Sequence, residues 1–160
     1  MKLSALLIAL FIGILLACTN DDQVLGNRVA GQWTLTQIRY ANPTRPGTDT
    51  TLVLQDATII FDNCQYKRGE SLLCTGQHQV FNGSTVPFNF DIDGVKQSSM
   101  SINQQYHKYI PKNADLDLNG GYIINFGDND NQMELKGRYY LFGSKTIEDE
   151  TAYFTLRRKQ

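Results

Sequence analysis

Along most of this chain, apolar side chains recur at every second position. The clearest case is Gln132 to Leu141, where Met133, Leu135, Gly137, Tyr139 and Leu141 share one face. Gln132, Glu134, Lys136 and Arg138 share the other. Successive strand residues point to opposite sides, so this is the pattern of a half-buried antiparallel strand. Val86, Phe88, Phe90 and Ile92 alternate in the same way with Pro87, Asn89 and Asp91. Pro87 has no N–H to give to a ladder, so this strand is expected at an edge or with a local irregularity. Tyr122, Ile124 and Phe126 make a third apolar face, and Ala152, Phe154 and Leu156 a fourth. Thr58 to Phe61 is a continuous β-branched and aromatic run, and Trp33 with Leu35 starts another strand.

Turn chemistry separates these runs: Asn82-Gly83, Asp93-Gly94, Asn119-Gly120-Gly121 and Gly127-Asp128-Asn129-Asp130. The pattern predicts strands near 31–40, 51–66, 72–81, 85–92, 97–103, 121–127, 131–142 and 150–158. No helical apolar period stands out beyond the N-terminal apolar segment, and no internal repeat or low-complexity stretch is visible. The fold class is therefore all-β: an antiparallel up-and-down meander of about eight strands closed into a barrel, since closure removes the exposed edges of an open sheet. Gln104 to Leu118 reads as a long loop over one barrel mouth.

Composition narrows the function. The chain has 160 residues, 41% hydrophobic and 19% charged, with 15 basic and 16 acidic side chains. That suits one globular domain and gives no electrostatic case for nucleic acid. Two histidines and three cysteines are too few for a crowded metal cluster or a cysteine-dense scaffold.

The N-terminus sets the compartment. Met1-Lys2 precedes an apolar run from Leu3 to Ala17 broken by Ser4 and Gly13, shorter than the roughly 20 residues a spanning helix needs. A basic start and a short apolar run ending in small residues read as an export signal. Its end, Leu15-Leu16-Ala17-Cys18, resembles the lipobox of bacterial lipoproteins. That resemblance implies cleavage before Cys18, acylation of Cys18 and a membrane-anchored protein of the cell envelope. Removing 17 residues from 160 leaves a mature chain of 143. Each buried acyl CH₂ contributes ~0.8 kcal/mol, so two or three chains anchor firmly. Thr19 resembles the residue of lipoproteins sorted to an outer membrane. Asp21-Asp22 resembles an acidic surface-export signal, or serves as part of a solvated tether. The expected organisation is a signal peptide over 1–17, lipidated Cys18 and a polar tether over 18–27, and a barrel over 28–160. The location is the periplasmic side or the cell surface.

With Cys18 lipidated, Cys64 and Cys74 remain as an even pair in an oxidising compartment. They lie ten apart with Gly69 midway. A hairpin turning about Gly69 would set them opposite each other on neighbouring strands, within reach of a structural disulfide. Closing such a loop stabilises by about 3 kcal/mol in the chain-entropy account.

Gly31-Gln32-Trp33 opens the first strand, and a Gly-x-Trp there resembles the lipocalin family. The strand count and a basic residue on the last strand fit the same resemblance, which covers 28–160 in layout. It implies a lipocalin-like barrel closed at one end by an Arg packed across the Trp. Arg158 shares the parity of Phe154 and Leu156, so it takes that role, whereas Arg157 points outward. The chain departs from the best-known lipocalins in having no Thr-Asp-Tyr motif and no helix after the last strand. The resemblance also implies a small apolar or amphipathic ligand. By parity Phe88, Phe90, Tyr122, Phe126, Tyr139 and Phe154 would line the interior, although the same aromatics serve equally as a filled core.

Catalytic patterns are missing from the sequence: there is no Gly-x-Ser-x-Gly and no metal-ligand spacing around His78 and His107. A lone histidine on a strand reads as a packing or surface residue. Asp91-Ile92-Asp93-Gly94 lacks the later ligands of a calcium loop. Asp128 and Asp130, with Asn129 and Asn131, read as a solvated hairpin turn, and Glu148-Asp149-Glu150 as a solvated loop. The expectation is a monomeric, non-enzymatic protein with no metal or cofactor. Its alternative role is structural, partner-binding or inhibitor-like, through loops such as Tyr106-His107-Lys108-Tyr109.

Overall fold

The structure is a computed structural model describing residues 21–41, 49–65, 74–79, 85–94, 98–104, 118–127, 129–139 and 151–159. Eight strands follow one helix: α1 (Asp21–Val29), β1 (Gly31–Ala41), β2 (Thr50–Phe61), β3 (Cys74–Gln79), β4 (Thr85–Asp93), β5 (Ser99–Asn103), β6 (Gly120–Phe126), β7 (Gln132–Tyr139) and β8 (Thr151–Arg158). Each strand pairs antiparallel with the next, and β8 pairs with β1, so the sheet is a closed eight-stranded meander barrel.

The alternation in the sequence becomes inside and outside. Cys74, Gly76 and His78 are buried on β3 while Thr75, Gln77 and Gln79 are exposed; Phe88, Phe90 and Ile92 are buried on β4. The core also takes Trp33, Leu35, Ile38, Ile59, Phe61, Met133, Leu135, Phe154 and Leu156, all at most 1% exposed. Asp91, Asp93, Lys136 and Arg157 are exposed on the outer face. An apolar inside and polar outside invert the arrangement of a barrel that spans a membrane, whose apolar band faces lipid. Every buried apolar side chain among the described residues lies between Leu25 and Leu156, so the chain from residue 19 onward carries the whole described core.

Two inward glycines sit opposite aromatic partners. Gly76 faces Phe88 and Gly137 faces Tyr122 in register. A Cβ on Gly76 would lie 2.5 Å from the Phe88 ring, and one on Gly137 would lie 2.5 Å from the Tyr122 ring and 2.1 Å from the Gly121 carbonyl. Those rings fold over the bare backbone, which lets large side chains fill a narrow barrel. The β1 register shifts between Leu35 and Gln37, a bulge that keeps Ile38 in the core after Leu35.

Four differences from the sequence reading have local causes. The segment expected as a polar tether over 18–27 is helical from Asp21, because Leu25 and Val29, one turn apart, bury against the barrel end. Cys64 does not sit on a strand: β2 ends at Phe61, and Cys64 lies in the irregular run after it. β4 is paired on both sides; Pro87 instead lies beyond the stretch paired with β5, Asn89 to Asp93. Gly120 and Gly121 belong to β6 rather than to a turn. Residues 1–20, with the signal segment and Cys18, lie outside the described residues, as do Gly69, Asn82-Gly83, 105–117, Asp128 and Glu148-Asp149-Glu150.

Candidate functional site

The two ends of the barrel are built from different chemistry. α1 crosses the end where β1 begins and β8 finishes. Near its start the Asp22 carboxylate accepts the Gly94 N–H at 2.7 Å, and Gln23 Nε2 donates to the Cys64 carbonyl at 2.9 Å. Cys64 is in turn disulfide-bonded to Cys74 at the head of β3, with Cα atoms 5.8 Å apart. At the helix C-terminus the Trp33 indole N–H donates to the Val29 carbonyl at 2.7 Å. The Arg158 guanidinium lies 4.2 Å from the Trp33 ring centroid and donates to the carbonyls of Ala30 (2.9 Å) and Arg28. Carbonyls at a helix end carry partial negative charge, so a cation there is favourable. Gly31 is required at this junction: its φ is +121°, and a Cβ would meet Arg158 Nη1 at 3.0 Å. The structure therefore brings Gly31, Trp33 and Arg158 together.

Arg28 completes the seal. It forks onto Asp130 at 2.6 and 3.1 Å and lies 4.0 Å over the Phe126 ring. The Arg28 hydrogen bond holds the Asp130 carboxyl below its ordinary range. Phe126, expected along the interior, is thus a half-buried ring at the sealed end, under a guanidinium. Its parity was right, but β6 runs out of barrel there.

The other expected lining residues separate into two groups. Phe88 and Phe90 interlock with Phe61, with centroids 5.5 and 5.2 Å from it, on the β2–β4 side. Tyr122 packs edge-on to Phe154 at 5.6 Å on the β6–β8 side, and its hydroxyl donates to the Leu118 carbonyl. Tyr139 ends β7, and its side chain lies outside the described residues.

At the far end of the barrel sits a buried polar chain that the apolar alternation does not reveal. His78 is one residue from the end of β3, Gln104 follows β5, and Asn119 precedes β6; they are 1%, 3% and 7% exposed. The hydrogen bonds run one way. A backbone N–H can only donate, so the 2.7 Å contact from Gln104 N fixes the Asn119 oxygen. The Asn119 amide N–H then donates to Gln104 Oε1 at 3.4 Å, and Gln104 Nε2 faces His78 Nε2 at 2.8 Å. His78 Nε2 must accept, which puts the ring proton on Nδ1. Burial lowers the His78 pKa from 6.5 to about 4, so the ring is neutral at neutral pH. Among the described residues His78 Nδ1 is buried with no hydrogen-bond partner. A buried donor left so costs about 1–3 kcal/mol. The Phe88 ring stacks beside it, 6.5 Å away and tilted by 25°.

Among the described residues, grooves lie on the outside of the barrel. One of about 490 Å³ crosses β4 to β7 over Gly121, between Asp91 and Asp93 on one flank and Lys136 on the other. The second, about 670 Å³, is polar and lies beside Arg157, Arg158 and Lys159 near the sealed end. Among the described residues no three His, Cys, Asp or Glu side chains group as metal ligands. Asp91 and Asp93 point outward, and Asp130 is held by Arg28. Compared with known protein families, curated proteins and solved structures, the chain matches none.

Proposed function

We propose that this is a lipid-anchored cell-envelope protein whose lipocalin-like barrel binds a small apolar or amphipathic molecule and catalyses no reaction. The observation that carries the reading is the buried His78 Nδ1 donor beside Phe88, at the end of the barrel away from α1. Aromatic walls with a few convergent polar groups are the usual chemistry of a small-molecule site. The lipobox-like Leu15-Leu16-Ala17-Cys18 supports the anchor. Cys18 precedes Asp21 by three residues, so a lipid on it would hold the sealed end toward the bilayer and leave the other end facing water.

A second reading is favoured by the interlocked rings of Phe61, Phe88 and Phe90. These fill the interior on the β2–β4 side, as in a solid core whose partners are met by loops or by the outer groove over Gly121. Native mass spectrometry of residues 19–160, purified from the periplasm without reductant, separates the two. A reproducible bound mass that leaves on denaturation is expected for carriage, and a bare chain would sink it. The anchor is tested separately: Cys18→Ser is expected to abolish metabolic labelling with an alkyne fatty acid.

A further inference from the structure

We infer that the Nδ1–H of His78 is the recognition point for the bound molecule, and that it selects a neutral oxygen acceptor (ketone, aldehyde, ester or alcohol) on an otherwise apolar body. This rests on the carrier reading and gives it a ligand class.

The direction of the hydrogen-bond chain decides which atom is offered. Asn119, oriented by the Gln104 backbone N–H, orients the Gln104 side chain, which occupies His78 Nε2. What remains is a single N–H donor, buried and without an acceptor among the described residues. Among the described residues the inward neighbours of His78 are uncharged: Ile59 on β2 opposite it, Val86 on β4 opposite it, and the stacked Phe88.

That setting discriminates between acceptors. A carboxylate placed against Nδ1–H would be buried with no cation among these neighbours, at a large desolvation cost. An imidazolium would neutralise it, yet a proton on Nε2 would point at the Gln104 N–H₂ group, donor against donor. Protonation of the carboxylate itself would cost further free energy at neutral pH, well above its ordinary range. An alkane would leave the donor unpaired. A neutral carbonyl or hydroxyl oxygen satisfies it without bringing charge inside. Imidazole that stays neutral over the physiological range keeps this preference constant there.

The test uses residues 19–160 with histidine labelled in nitrogen, titrated with dodecane, methyl decyl ketone and dodecanoate. Proton–nitrogen correlations report the His78 ring, and interior methyl shifts report binding. In the free protein the ring proton is expected on Nδ1; finding it on Nε2 overturns the inference whatever binds. The ketone is expected to move the Nδ1–H resonance downfield and to bind about tenfold tighter than dodecane, the margin of one hydrogen bond. His78→Phe is expected to erase that margin, so that ketone and dodecane bind alike. Equal binding of ketone and dodecane with an unmoved His78 signal would leave carriage standing and remove the role of His78. Tighter binding of dodecanoate than of the ketone would overturn the neutral selectivity. If none of the three binds, the carrier reading itself falls, and the inference with it.

Discussion

The sealed end of the barrel and its opposite end handle polar groups in opposite ways. At the sealed end, charges meet partners: Arg28 with Asp130, Arg158 with the carbonyls of Arg28 and Ala30, Asp22 with the Gly94 N–H. Among the described residues at the far end Arg39 pairs with Asp49 on the surface, while the buried polar groups are uncharged, hand their hydrogen bonds in one direction, and leave a donor over. The first arrangement is what a protein does to hold a terminus in place. The second keeps an inconsistency inside a packed fold, and such inconsistencies concentrate where a protein meets something else.

Substitutions can break this contrast from either side. The largest effect is expected from Trp33→Ala, which empties the core under α1 and removes the platform of Arg158. A loss of about 3–5 kcal/mol, read as a lower denaturant midpoint with unchanged slope, is expected. A loss under 1 kcal/mol would mean that α1 does not seal the barrel.

Acid should act at the other end. His78 titrates near 4 in the folded chain against an ordinary 6.5, so the unfolded chain binds the extra proton first as pH falls. Stability is then full above about pH 6.5 and declines toward pH 4, by about 3 kcal/mol for a shift of that size. His78→Phe is expected to flatten that window in pH-dependent unfolding. An unchanged slope would show that the imidazole reaches solvent.

The Cys64–Cys74 bridge ties the irregular run that receives Gln23 to the head of β3. Replacing both cysteines by Ser is expected to cost about 3 kcal/mol at most, and reductant should reproduce the loss in the native chain. The smallest effect belongs to Asp130, which is open to solvent. Its lowered pKa means that its contribution is present above the ordinary carboxylate range and disappears as pH falls through the folded value. Asp130→Asn is expected to change the melting temperature only slightly at neutral pH and not at all in strong acid. An equal drop at both pH values would point to the hydrogen-bond geometry at Arg28 rather than to charge, since Asn tolerates the +53° φ of residue 130 as well as Asp does.

Much of the barrel was legible because strand parity is written locally. Eight runs are expected and eight strands form, with ends that differ by a few residues where pairing stops, as at Phe61. The inward parity of Arg158 likewise followed from Phe154 and Leu156 two and four positions earlier. α1 was harder to see. Only Leu25 and Val29 carry its helical spacing, and a nine-residue helix draws its stability from the surface it covers. Its remaining signals were Asp21-Asp22 in the first turn and Arg28 in the last, a charge order that suits a helix dipole. His78 was hidden for another reason: its parity marks it as inward, but parity does not say whether an inward polar atom has a partner.

The sequence by itself determined the class of fold, the faces of the strands and the pairing of two cysteines, because these depend on neighbours within about ten residues. Only the tertiary structure decided that β8 closes on β1, that α1 seals one end, and that one donor is left over at the other. Those outcomes join residues far apart in the chain, Arg28 to Asp130 across 102 positions and His78 to Gln104 across 26. No local pattern records such pairings; they are fixed when the barrel shuts and each buried polar atom either finds a partner or does not.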